Sequence, residues 1–225
     1  MPALYDMLQQ MGAIAREAAV LGLFVTGTLI VLVRDWRITL LALLGQYVLV
    51  GVILSRLVLP EIALIKVLIG ALICPMLYLA ARQSGWGIFS LPQTLERSPR
   101  RGQSENGGLA VFRVGLSFRV LTVTLVLVFA IVINNTYPLP GIPPDVGLGS
   151  YWLMLTGLLV LMLTEEPLKA GPGLLTALSG FELLYTPLEL SLTVVFLWAV
   201  VILLLALSIA YLAAARGVSA PEEDL

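Results

Sequence analysis

Three ionisable side chains fall inside or at the edge of otherwise apolar stretches of this sequence: Lys66, Glu182 and Glu189. Charge inside a bilayer is costly, so such residues are functional candidates by default. Glu182 follows Gly180 and Phe181 in the middle of its apolar run, the expected sixth span, with no Lys or Arg within ten residues. A desolvated carboxyl can take up and release a proton, which suits a relay or gating carboxylate. The same group can instead be structural glue, hydrogen-bonded to a neighbouring helix. Lys66 sits about one turn into its apolar segment, and Glu61 at i−5 is off-face for a helical pair. A buried lysine can lose its proton and serve a relay. It can equally snorkel toward the interface near Pro60. Glu189, beside Pro187, reads as an interfacial carboxylate, and Glu165 and Glu166 read as groups in water before Pro167.

Other chemistry is narrowed by composition. The chain has no His and one Cys, Cys74. A His–metal site, a Ser-His-Asp triad, an axial-His haem and an internal disulfide are thereby excluded. Four thiolates for an iron–sulfur cluster are also lacking. No phosphate loop or dinucleotide fingerprint is present, and Gly171-Pro172-Gly173 reads as a helix-start turn. No cofactor and no nucleic-acid partner are expected.

The elements that carry these residues belong to a membrane. The 225 residues are 59% hydrophobic and 12% charged, against roughly 25% charged in a soluble domain. A span needs about 20 apolar residues. Seven candidates emerge, at 18–33 with its flanks, 38–54, 62–81, 120–133, 151–163, 173–188 and 191–214, of which the fifth and sixth are short and Gly-rich. The expectation is an all-α polytopic membrane protein with about seven transmembrane helices. Pro75 is expected to kink the third span and free a carbonyl near Cys74. Cys74 itself is most simply a small buried apolar residue. Before the first span, Leu4, Met7, Leu8, Met11 and Ile14 recur at helical spacing. They suit a short interfacial helix over 1–17, or an extension of the first span. Asp6 and the lack of a basic start argue against a signal peptide.

Charge gives orientation. Ten cations (Arg34, Arg37, Arg82, Arg97, Arg100, Arg101, Arg113, Arg119, Lys169, Arg216) fall on one side and two, Arg16 and Arg56, on the other. The positive-inside rule then places the amino terminus outside and the carboxy terminus in the cytoplasm of a cell inner membrane. The 83–118 loop is basic, polar and cytoplasmic, either a plain linker or a dock for a soluble partner. The loop 134–149 is Pro-rich, without Lys or Arg, and external.

At a constant offset of 135 residues, Leu40, Ala42, Leu43, Gly45 and Leu49 recur as Leu175, Ala177, Leu178, Gly180 and Leu184. This suggests two parallel three-helix units, 18–82 and 150–216, joined by a linker helix and external loop over 119–149. An acidic tail follows at 217–225. Gly45 and Gly180 would be the helix-packing positions.

The run LLTALSGFELL at 174–184 resembles the second span of the K-type (4L) small membrane subunit of complex I. That family carries an apolar run followed by Gly, an apolar residue, Glu and further apolar residues, here Gly180, Phe181, Glu182, Leu183 and Leu184. In length and span count the chain is similar to the membrane component E of hydrogenase-4-type complexes. The stretches Ile65-Lys66-Val67-Leu68 and Tyr78-Leu79-Ala80-Ala81-Arg82 add to that similarity. The resemblance implies a non-catalytic subunit of a proton- or sodium-translocating oxidoreductase complex. Its partners would be antiporter-like and quinone-chamber-like membrane subunits, with Glu182 and Lys66 as relay groups. The chain departs from the K-type pattern in its last span, which has no carboxylate. Two other readings stay open: a structural membrane scaffold docking a cytoplasmic partner, and a small independent carrier built on the repeat.

Overall fold

The computed structural model describes residues 2–33, 35–58, 60–83, 116–138, 141–164, 167–188 and 191–218, with side chains described for 17–33, 117–138, 168–188 and 191–215 in the affected helices. Among the described residues the chain is all-helical and contains no strand. The helices are α1 (Pro2–Leu32), α2 (Trp36–Leu57), α3 (Pro60–Gln83), α4 (Leu116–Thr136), α5 (Pro144–Leu163), α6 (Pro167–Tyr185) and α7 (Leu192–Val218). Helices α2, α3, α4, α5 and α7 are long and apolar enough to cross a membrane. Their outward faces are large and apolar, as Leu121, Leu125 and Phe129 on α4 and Phe196, Leu197 and Leu204 on α7 illustrate. Such surfaces would be costly in water, at about 25 cal/mol per Å². This is a helical membrane protein.

Helix starts have local causes. Asp35 caps α2, its side chain accepting from the Arg37 backbone N–H at 3.0 Å. Helices α3, α5 and α6 each begin on a proline, Pro60, Pro144 and Pro167. Proline at the first helical position loses no hydrogen bond and is already set to the helical φ. These prolines explain two boundaries. Helix α5 begins at Pro144 rather than at 151, and α6 begins at Pro167 rather than at 173. The Gly171-Pro172-Gly173 run therefore lies inside α6 and is not its starting turn. Its glycines serve packing instead. A Cβ on Gly171 would meet Ile209 of α7 at 2.5 Å, and one on Gly173 would meet Val160 of α5 at 2.7 Å.

Residues 2–32 form one continuous helix, so the amino-terminal segment extends the first apolar run without a break. Helix α3 continues through Pro75 to Gln83. The carbonyl that a proline at 75 releases is that of Ala71, four residues back. Helix α5 packs most extensively on α6, and α2 on both α1 and α3. Helix α1 also packs on α5, α2 on α6, and α3 on α7. One apolar cluster joins α1, α2 and α5 through Leu23, Val50, Ile53, Trp152 and Leu153. A second joins α2, α3, α6 and α7 through Leu43, Tyr47, Ile73, Leu77, Leu175 and Ile202. The starts of α2 and α6 meet the ends of α3 and α7 at one face, through Trp36, Ala81, Leu168 and Ala213. Most of the 83–118 loop, Glu165, Glu166, Glu189 and the 219–225 tail lie outside the described residues.

Candidate functional site

Lys66 and Glu182 meet. Lys66 is 1% exposed and Glu182 6%, and the ammonium forms a direct ion pair with the carboxylate across the gap between α3 and α6. Lys66 Nζ also donates to Ser179 Oγ at 3.4 Å. It stands 4.5 Å from the centroid of the Tyr47 ring, in cation–π contact. One cation thus receives a carboxylate, a hydroxyl and an aromatic face, supplied by α2 and α6. Gly70 makes room for the ring, since a Cβ there would lie 2.5 Å from Tyr47 Cβ. Snorkelling toward Pro60 is not what this lysine does.

The depth of Glu182 differs from the sequence expectation. It sits in the last turn of α6, not at its middle, because α6 starts earlier and ends at Tyr185. The Thr186–Leu188 turn closes the helix, with Thr186 N–H donating to the Glu182 carbonyl at 2.9 Å and Leu188 N–H to the Tyr185 carbonyl at 3.0 Å. Lys66 lies in the second turn of α3, so both groups are near the face at which α3 begins and α6 ends. A carboxylate in the last turn of a helix opposes the local dipole, so Glu182 gains from the ammonium beside it.

Polar groups continue away from the pair. Thr176 Oγ1 and Gln46 Oε1 are 3.3 Å apart and fully buried. Gln46 Nε2, Tyr47 Oη and Trp198 Nε1 are buried without a hydrogen-bond partner among the described residues. Tyr47 Oη stands near Glu182 and close enough to the Ser179 hydroxyl to interact weakly with it, short of the geometry of a full hydrogen bond. A crevice beside Glu182 is lined by Tyr185, Thr186, Val194, Val195 and Trp198. Tyr47, Gln46, Ser179 and Thr176 escaped the sequence reading. Two signals pointed to all of them except Gln46. Thr176, Ser179, Glu182 and Thr186 recur at spacings of three, three and four, one stripe of a helix. Tyr47 also occupies in α2 the position that Glu182 occupies in α6 at the 135-residue offset.

The two glycines singled out from the sequence behave differently. At Gly180 a Cβ would lie 2.6 Å from Met154 N and 2.7 Å from Ser150 O, so the backbones of α5 and α6 are in contact. Ser150 Oγ donates to the Gly180 carbonyl at 2.5 Å and fixes that approach. At Gly45 the nearest atom is Thr26 Cγ2 at 3.9 Å, ordinary contact distance. Gly157, which faces Gly173 and Ala177, is the second close α5–α6 contact, and nothing in its sequence context singled it out. Cys74 is buried among apolar side chains. Among the described residues no group of Cys, Asp and Glu could hold a metal ion.

Comparison with family models, curated proteins and solved structures returns no match to this chain.

Proposed function

We propose that this chain is a membrane subunit of a complex I-like or membrane-bound hydrogenase-like assembly, in which Lys66 and Glu182 take part in proton or sodium translocation. The observation that supports the reading is the buried ion pair itself. Replacing such a pair by apolar residues is often neutral or stabilising, so stability alone is a weak reason to keep it. A carboxylate and an ammonium in direct contact can exchange a proton and hand charge to a neighbour. Redox chemistry belongs to other subunits, and the antiporter-like and quinone-chamber-like subunits are the partners. The chain has seven spans in this reading, with α1 and α6 completing the five. It lies in the cell inner membrane with the amino terminus outside. The contacts of α1 with α5, α2 with α6 and α3 with α7 support two parallel repeats, because like-numbered helices of the two units face each other. The convergence of Tyr47 and Glu182, equivalent by offset, on one lysine supports the same reading.

One observation favours a second reading, a scaffold. The pair lies close to helix ends and joins α3 to α6, as a structural staple would. Proton pumping by vesicles containing the parent complex separates the two. The test variant is Lys66→Met/Glu182→Gln, which removes both charges together. Loss of pumping at normal subunit content is expected. Normal pumping removes the pair from any obligatory path and leaves the scaffold.

A further inference from the structure

We infer that the polar stripe of α6 is a water-bearing half-channel, open at the face where α6 ends and closed at the centre of the bundle. Thr186, Glu182, Ser179 and Thr176 are all buried and follow one another along one side of the helix. At 1.5 Å per residue they cover about 15 Å, from the end of α6 to its middle. Each level of the stripe faces a polar or aromatic side chain of another helix. Trp198 of α7 shares the crevice with Glu182 and Thr186. Lys66 binds Glu182 and Ser179, and Gln46 meets Thr176.

Three orphaned polar atoms accompany the stripe at its three levels: Trp198 Nε1, Tyr47 Oη and Gln46 Nε2. Buried donors without protein partners are rare, and ordered water is their usual partner. Their coincidence with one continuous row of hydroxyls and charges points to water along the whole row. The crevice beside Glu182, lined by Tyr185, Thr186 and Val195 and with room for about one water, is the part of the row nearest that face. Beyond Thr176 the character changes at once. Leu175, Leu43, Ile73 and Leu77, each fully buried, form an apolar plug toward the opposite face. A proton can therefore reach Lys66 and Glu182 from one face and advance to Gln46 and Thr176, but it cannot continue straight across. The use of this path rests on the translocation role proposed above; its hydration does not.

The test is hydrogen exchange at single thiols in the full chain, in a Cys74→Ala background. Thr176→Cys and Ser179→Cys place thiols in the stripe, and Leu175→Cys places one in the plug. Conversion of S–H to S–D on transfer into D₂O is followed by infrared absorption. Thr176→Cys and Ser179→Cys should exchange about an order of magnitude faster than Leu175→Cys, although residues 175 and 176 are neighbours and share the same helix-opening events. Equal rates at Leu175→Cys and at both stripe positions overturn the half-channel. Fast exchange with normal pumping by Lys66→Met/Glu182→Gln keeps the half-channel and removes the translocation reading. Slow exchange with pumping lost does the reverse.

Discussion

Removing one member of the Lys66–Glu182 pair should destabilise the chain far more than removing both. In Glu182→Gln the ammonium of Lys66 is left buried, 1% exposed, without its counterion. Uncompensated buried charges cost about 3–5 kcal/mol. Lys66→Met strands the Glu182 carboxylate, 6% exposed, in the same way and at a cost of the same order. For a chain of this size about 4 kcal/mol corresponds to roughly 8–16 °C in Tm. The double variant Lys66→Met/Glu182→Gln should recover most of the loss. Thermal unfolding in detergent, followed by the fluorescence of the four tryptophans, gives all four corners of the cycle. Single variants that match wild type, or losses that add in the double variant, would refute the buried pair.

The remaining expectations are simpler. Gly180→Ala should cost about 1–3 kcal/mol by forcing α5 and α6 apart against backbone atoms, whereas Gly45→Ala, with its nearest neighbour at 3.9 Å, should stay near wild type; equal Tm values for the two variants would contradict the packing described. A reporter fused after Arg216 should be cytoplasmic and one inserted near Pro143 external, and finding both on one side would end the seven-span topology. Affinity purification from native membranes should recover antiporter-like membrane subunits; a chain that purifies as a stable, partner-free monomer would count against the subunit reading.

The sequence by itself determined that this is a helical membrane protein. Seven apolar stretches, separated by polar or proline-rich links, carry that information locally, since each span must satisfy its own backbone hydrogen bonds. The identities of Lys66 and Glu182 as unusual residues were equally local, because a charge in an apolar run is visible without a fold. Helix starts were partly legible: Pro144 and Pro167 mark them, but hydropathy alone placed α5 and α6 too late, and that error carried Glu182 to mid-helix. Only the tertiary structure decided that the two charges are partners. They are separated by 116 positions, and the pairing requires α3 and α6 to run in opposite directions with the start of one beside the end of the other. The same holds for Tyr47 and Gln46, which look like ordinary polar residues of an apolar helix until α2 turns them toward α6. It holds for the glycines too. Gly45 and Gly180 are equivalent in sequence, yet only Gly180 has a backbone against it, because α5 lies on that side of α6 and a side chain lies opposite Gly45. Close approach is a property of two surfaces, and a single segment of sequence specifies only one of them.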